Sequence, residues 1–553
     1  MRARRPLFPL LIGLVLLVVF GAVRHRLYVP LGDGLDGAYY FQIARHVAQG
    51  KGLSTTYSVF HMGLSPLPQA TTTYPLLPLL IGYLGRVVPL ELAAVWLPGV
   101  AYVLSVALCF AFLLWQTQRS LPNSSPLTRL ALCTLISVWV GVTPDYVWAS
   151  ARPYTDTLGT LLVFVTLWCF GWCSSALFHS RAQRAAAFFG VGMLAGLCYL
   201  TRFQLLVVSI SLVLSRALSR DRRALRDAAW LALGALPGLA WQAWRQFSVP
   251  HGELVALFDF AAYRQLPSLP RFSYDMQFAD RWAWFVDKLG GVLVSLDPRS
   301  DDSYLVQHGF LVWLAPLGLS LLLGRQVVRL RKQGLRAFTA SGLRRPRHAA
   351  LLASALLGLL AVLPIHTVHS LRWRSWAFPW RQGLPITFLI IPALLWLWSV
   401  ESKLLRGVVA LALGASLVVC TQKTLELVKH ETSPRMTQGY AEVGAYLERL
   451  APRTGTLGIE HQGLGVFTDA PLYWLACWSP PALASTLVRE LPIERIVLRP
   501  GELSCSSLDG IRGQLQRERS FNAHYPMTLY RIAAYSERSR SDVLFQVQKR
   551  SDK

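Results

Sequence analysis

The sequence is short of charge, and shortest of negative charge. Asp and Glu number 30 against 55 Lys and Arg, and the four types together make up 15% of the 553 residues. Soluble domains carry about a quarter charged residues, so most of this chain is not built for water. Cysteine is scarce too. Six of the 8 (Cys109, Cys133, Cys169, Cys173, Cys198 and Cys420) lie in apolar stretches and read as small buried hydrophobes. That scatter excludes a disulfide framework. Cys169 and Cys173 share a helix face but have no His or acid beside them to complete a metal site. Cys477 and Cys505 lie in a polar tail and can pair if it is oxidised. No P-loop, HExxH or nucleophile elbow stands out, and there is no internal repeat.

What the chain has is apolar sequence, 53% of it. A helical span takes about 20 such residues. The run 6–23 follows "MRARR" without a small-residue cleavage pattern, so it reads as a retained first span with Arg2, Arg4 and Arg5 inside. Further spans are expected near 91–116, 127–148, 156–178, 186–201, 203–219, 228–246, 304–324, 348–365, 384–400 and 404–422. The total is about eleven, a polytopic α-helical membrane protein. The cytoplasmic loops then fall near 117–127, 179–186, 216–227, 325–347 and 401–406, where the only acids are Asp221, Asp227 and Glu401. The net charge of +25 is therefore mainly positive-inside topology, with contact to anionic lipid, and not a nucleic-acid footprint.

An odd number of spans puts the tail outside. Residues 1–422 are expected to form the transmembrane domain and 423–535 a small extracytoplasmic α/β domain, with 536–553 a disordered tail. In the tail domain "YAEVGAYLERLAP" has helical spacing, "TLGIE" and "ERIVLR" read as strands, and "PPALASTLVRELP" reads as a helix between them. Three outer loops are large or chemically rich. The loop 31–90 opens with "GDGLDGAYYFQIARHVAQGKGLS", bearing Asp33 and Asp36, and ends in a Pro-broken apolar helix expected at the interface. The loop 247–303 follows. The loop 366–385, "HTVHSLRWRSWAFPWRQGLP", carries Arg372, Arg374 and Arg381 against the positive-inside trend.

"LDGAYYFQIARHVAQGKG" resembles the acidic first-loop motif of the GT-C glycosyltransferases, among them the protein O-mannosyltransferases and the lipid A aminoarabinose transferases. "YPLLPLLIGYLGRVV" is similar to their juxtamembrane helix, and "RPYTDTLGTLLVFVTLW" to their second acidic site. "GMLAGLCYLTR" and "WRQGLPITFLIIPAL" are similar to later spans. The resemblance runs in order over 31–400 and implies a GT-C-type fold. It implies transfer of a sugar, with inversion, from a polyprenyl-phosphate-linked donor to a lipid, glycan or protein acceptor. The transfer would take place on the outer face of a bacterial inner (plasma) membrane, with no nucleic acid involved.

By the same resemblance Asp36 is the general base and Asp156 the second acid, with Arg152 expected as its ion partner; Asp33, outside the motif, is expected as an accessory group or a cap, and Tyr39 and Tyr40 as accessory groups. Such chemistry needs a base for the acceptor hydroxyl and cations for the departing phosphate. The family often places Arg three residues after its catalytic Asp, where this chain has Tyr39. The phosphate cation is therefore sought among Arg381, Arg374 and Arg372, with His369, and Arg202 behind them; a guanidinium fork can hold two phosphate oxygens. The Asp pair leaves a divalent cation open. A GxxxG at Gly192 and Gly196 reads as helix packing. The competing reading, a transporter or lipid flippase without transferase activity, calls for repeats and mid-membrane charges, and the sequence displays neither.

Overall fold

The computed structural model describes residues 7–27, 35–59, 74–219, 223–248, 349–360, 387–400, 402–430 and 434–450, most of 455–532, and isolated positions elsewhere. Among the described residues one group comprises eleven helices: α1 (Leu7–Arg26), α4 (Leu90–Ser120), α5 (Pro126–Gly141), α6 (Pro144–Ser150), α7 (Thr155–Ser175), α8 (Arg181–Thr201), α9 (Leu206–Ala217), α10 (Ala224–Ser248), α11 (Ala349–Leu360), α12 (Thr387–Ser399) and α13 (Lys403–His430). Among the described residues five stretches are long and apolar enough to cross a bilayer: Phe8–Arg26, Leu90–Ser120, Thr155–Ser175, Arg181–Thr201 and Lys403–Glu426. Helices α5 and α6, bent by 60° at their junction, make a sixth if taken as one broken span. Pro144 supplies the reason for the break, since it cannot donate a backbone bond and sits at the start of α6. The protein is thus a multi-pass helical membrane protein. The remaining expected spans at 203–219, 228–246, 348–365 and 384–400 fall on helices α9 to α12, and the one at 304–324 lies mostly outside the described residues.

Helices α8 and α10 touch backbone to backbone. A Cβ placed on Gly192 would stand 2.2 Å from the Leu231 carbonyl oxygen, and one on Gly234 2.1 Å from that of Phe189. The GxxxG of α8 therefore does pack a helix, and its partner is a second GxxxG, Gly234 to Gly238.

Buried charge gathers at the two ends of the bundle. At one end the α8–α10 group is tied by Arg184, Arg216, Asp221 and Asp227. Arg216, fully buried, gives Asp227 bonds of 3.0 and 2.5 Å. Arg184 reaches Asp227 at 2.7 Å and Asp221 at 2.5 Å. Two cations and two anions cancel, which is how such a cluster tolerates burial. At the opposite end Arg24 of α1 donates to the carbonyls of Ser150 at 2.8 Å, Leu27 at 3.0 Å and Val95 at 3.0 Å, joining α1, α4 and α6.

Two further helices, α2 (Leu35–Ala48) and α3 (Leu76–Leu84), lie between α1 and α4 in the chain, with short strands β1 (Ser54–Thr55), β2 (Tyr57–Val59) and β3 (Gln69–Ala70). The C-terminal part adds α14 (Pro434–Arg449), α15 (Leu483–Glu490) and strands β4 (Gly455–Ile459), β5 (Leu472–Leu475), β6 (Ile493–Leu498), β7 (Leu515–Phe521) and β8 (Met527–Ile532). They form a six-stranded mixed sheet in the order β2-β5-β4-β6-β8-β7. Its first strand is not local: β2, from the loop after α2, runs parallel to β5 with Tyr57 opposite Leu472. One hydrophobic core joins Phe41, Ile43 and Ala44 of α2, Leu77 and Ile81 of α3, and Leu457, Leu472 and Ile496 of the sheet. Cys477 and Cys505 are bonded, the pairing allowed for an oxidised tail.

Removing one partner of the charged cluster strands the others in a dry setting. Asp227→Ala is expected to cost about 3–5 kcal/mol, measured by thermal unfolding in detergent, whereas changes at exposed Arg226 should cost little.

Candidate active site

Helix α2 presents Asp36 in its first turn, where a carboxylate suits the positive end of the helix dipole. The helix ends cleanly. The Gly50 amide donates to Val47 O at 3.1 Å and the Lys51 amide to His46 O at 2.8 Å, while Gly50 takes a φ of 77° that L side chains rarely adopt. This pair of bonds is a Schellman stop. Nearly all of α2 from Gly37 onward is buried, so its polar side chains must find partners.

They find them in the first loop and in the C-terminal domain. Gln42 donates to Thr56 Oγ1 at 2.8 Å and to Thr468 O at 3.2 Å, and accepts from the Thr56 amide at 3.1 Å and from the Thr55 hydroxyl. Arg45 pairs with Asp469 at 3.0 Å and donates to Val466 O. Gln49 donates to Asp469 at 3.3 Å, and Lys51 lies 3.7 Å from it. Burial pushes the Asp469 carboxyl up, but Arg45, which pairs with it and hydrogen-bonds to it, outweighs that with Gln49 and His46 and holds it below its ordinary value. Burial likewise lowers His46, only partly offset by Asp469.

The Asp36 end of α2 abuts the start of α7. A Cβ on Gly37 would stand 3.4 Å from Pro153 Cδ and 3.8 Å from the Tyr154 ring. Two residues on is Asp156, 5% exposed, in an ion pair with Arg202 at the end of α8. Arg152 stacks its guanidinium 3.8 Å over Trp148. Behind Asp36, Tyr39 exchanges a 2.7 Å hydrogen bond with Thr71, whose carbonyl accepts from Arg245 at 2.5 Å. Arg245, at the site end of α10, is 7% exposed. Burial pushes the Tyr39 hydroxyl up to about 12 although Thr71 and Arg245 pull it down, so it stays protonated. Tyr57, carried in by β2, is fully buried with its ring centroid 6.3 Å from that of Tyr39.

Of the residues singled out in the sequence, Asp36, Tyr39, Tyr40, Asp156 and Arg202 meet at this end of the bundle. Asp33, His369, Arg372, Arg374 and Arg381 lie outside the described residues. Among the described residues no group of three or more His, Cys, Asp or Glu is placed to hold a metal. Sequence reasoning missed Arg245, Tyr57 and Tyr154. A signal existed for the first: an Arg at the outer end of a span, beside Trp241 and Trp244, runs against the positive-inside trend, as those of 366–385 do.

The clasp on α2 makes stability depend on acid in a definite direction. His46 and Asp469 both have folded values below their unfolded ones, so their contribution is present at neutral pH. It is lost as pH falls, first below the ordinary 6.5 of His46 and then below the ordinary 3.8 of Asp469. The melting temperature should therefore step down in those two windows. His46→Gln should flatten the upper step and Asp469→Asn reduce the lower one, measured by thermal unfolding across pH.

No protein-family model and no curated protein matches the sequence. Solved structures do match. The Archaeoglobus fulgidus oligosaccharyltransferase in the apo form gives a TM-score of 0.54 at 12% identity, over 88% of this chain and 69% of that one. ArnT from Cupriavidus metallidurans bound to undecaprenyl phosphate gives 0.51 at 13% identity, over 95% of this chain and 98% of that one. The archaeal oligosaccharyltransferase AglB from Archaeoglobus fulgidus, in complex with an inhibitory peptide and a dolichol-phosphate, gives 0.51 at 12% identity over 88% and 69%. Both proteins are transferases of the GT-C type, and two of these structures hold a polyprenyl phosphate, undecaprenyl phosphate in one and a dolichol-phosphate in the other. At such identities the likeness speaks of the fold, and over most of its length this chain has a GT-C-type fold.

Proposed function

We propose that this protein is an inverting membrane glycosyltransferase that takes its sugar from a polyprenyl-phosphate-linked donor on the extracytoplasmic side. The observation that supports the reading is that the Asp36 end of α2, packed through Gly37 on Pro153 and Tyr154, lies at the same end of a GT-C-type bundle as the Asp156–Arg202 pair and Arg245. Asp36 is the general base. It is half-buried, so an acceptor hydroxyl can reach it, whereas Asp156 is sealed and committed to Arg202. Asp156 and Arg202 hold the neighbouring helix ends in place and keep the guanidinium beside the site. The departing phosphate gains charge as the anomeric bond breaks, and guanidinium groups held nearby lower that barrier more than they lower the ground state. Arg245 and Arg202 supply such groups from α10 and α8, and Arg381, Arg374 and Arg372, with His369, are the candidates from the loop 366–385.

The location follows from the same reading. The loops 216–227 and 325–347 face the cytoplasm of a bacterial cell. The disulfide Cys477–Cys505 suits an oxidising compartment on the other side.

The direct test is incubation of purified protein with labelled polyprenyl-phosphate-sugar. Release of sugar from the lipid is the expected result; passage of lipid across vesicles without release would favour a flippase. Asp36→Asn keeps the size of the side chain and removes the base, so transfer should fall by about 10²–10⁴ while donor lipid still binds. Near-normal turnover in that variant would move the base to Asp156. Among the arginines, Arg245→Ala and Arg381→Ala should each lower turnover by roughly tenfold or more, with Lys replacements milder because charge is kept and the fork is lost. Equal small losses at Arg372, Arg374 and Arg381 would mark that loop as a headgroup contact only.

A further inference from the structure

Three turns meet at one edge of the C-terminal sheet. Strands β5, β4 and β6 lie side by side and parallel, so their exits stand next to one another. Cys477 follows β5, His461 follows β4, and Glu502 and Cys505 follow β6. The Cys477–Cys505 bond therefore bridges the exits of β5 and β6, with the exit of β4 between them. Glu502 opens the short helical turn Glu502–Ser504, and the Cys505 amide donates to its carbonyl at 3.1 Å. The Glu502 side chain is buried. Its carboxylate accepts from the Arg499 amide at 2.7 Å and lies 3.1 Å from Nε2 of His461, which is itself fully buried. His461 in turn opens the segment that grips α2. Residues 461–469 offer the carbonyls of Val466 and Thr468 and the carboxylate of Asp469, which accept from Arg45 and Gln42. The disulfide thus holds the turn that carries Glu502, and Glu502 holds the first residue of the grip. Cys477 is half-buried, so a small thiol can reach it, whereas Cys505 is enclosed.

We infer that the Cys477–Cys505 disulfide is a redox switch on the Asp36 site, acting through Glu502, His461 and the segment 461–469. A dithiol reductant breaks the S–S bond by thiol–disulfide exchange. Each sulfur takes up one electron and one proton, and the reductant closes into its own disulfide. The turn after β6 then loses its tie to β5, Glu502 no longer fixes His461, and the segment 461–469 loosens its hold on α2. Reoxidation restores the brace. Glu502 and His461 are positioning residues in this scheme and touch no substrate. The effect on α2 stands by itself; the effect on catalysis rests on the transferase reading.

Hydrogen exchange on the full-length protein in detergent tests it without substrate. Dithiothreitol has one disulfide to act on, since the other six cysteines are free thiols. It should raise exchange in 35–48 and 461–469 by about tenfold while the strands of the sheet stay protected. The double variant Cys477→Ser, Cys505→Ser should show the same pattern without reductant. Glu502→Gln keeps the disulfide and the size of the side chain but removes the charge facing His461. It should loosen the same two segments, and dithiothreitol should then add little, because both changes act on one link. Exchange that rises only next to the two cysteines, or throughout 455–532, would mark a staple of the domain and overturn the proposal. So would a Glu502→Gln effect that adds in full to that of reduction. In sugar transfer the reduced protein should lose roughly tenfold in kcat with donor KM unchanged, and reoxidation should restore the rate. Full turnover with a loosened α2 overturns the switch while the transferase reading stands. An oxidised wild-type protein that transfers no sugar overturns the transferase reading, and the exchange result still decides the brace on α2.

Discussion

Everything at the site end depends on α2 having no free side. A 14-residue helix with Asp36 at its tip is buried against α3 and α4 on one side and against a domain some 400 residues later in the chain on the other. Burying it forces Gln42, Arg45 and His46 to find partners; Ser54, Thr55 and Thr56 of the first loop supply some, and Thr468, Val466 and Asp469 of the C-terminal domain supply the others. A helix held only by apolar contact could slide or rotate by a fraction of a turn. One held by a fully bonded amide and a charge pair has a fixed register, because any slip leaves buried groups unpaired. The position of Asp36 is thereby set from roughly two to three turns away along the helix.

The same economy orders the charges. Buried ionic groups lie at the ends of the described helices, where α7, α8, α9 and α10 begin or stop. At one end, two arginines and two aspartates neutralise one another and bind three helices. At the other, Asp156–Arg202 and the Arg245–Thr71–Tyr39 chain leave guanidinium groups close to an acid-bearing helix tip. The first arrangement is closed and satisfied; the second keeps half-buried Asp36 within reach of incoming molecules. Interfacial chemistry on a lipid-borne substrate asks for that asymmetry, and a mid-membrane ion path would not.

What could be read in the sequence was local. The motif around Asp36, the acid at the start of α7, the GxxxG of α8 and the pairing of Cys477 with Cys505 each rest on neighbours in the chain or on composition. The helix α14, the strands β4 and β6, and α15 between them were legible for the same reason. Strand β7 was not, because "LQRERSF" is polar and mostly exposed and carries no apolar alternation. Helix α13 runs past Lys423 to His430, because backbone bonding continues where the apolar run stops, with Lys423 and Glu426 paired at 3.0 Å on its surface.

The least legible element is the most consequential one. Nothing in "STTYSVF" says that its partner strand is "LYWL" at Leu472–Leu475. A three-residue strand has too little side-chain pattern to specify a register by itself, and this one is specified from outside. Gly465 leaves room for the Tyr57 ring, Gln42 binds Thr55 and Thr56 just before it, and the Leu472 amide donates to Thr56 O at 2.9 Å. Strand, helix and sheet therefore fix one another, and none of the three has its observed place without the other two. A loop that closes over so long a stretch of chain is entropically costly. That cost is offset only if the C-terminal domain is folded, which ties the order of the first loop, and with it the geometry around Asp36, to a domain far along the chain.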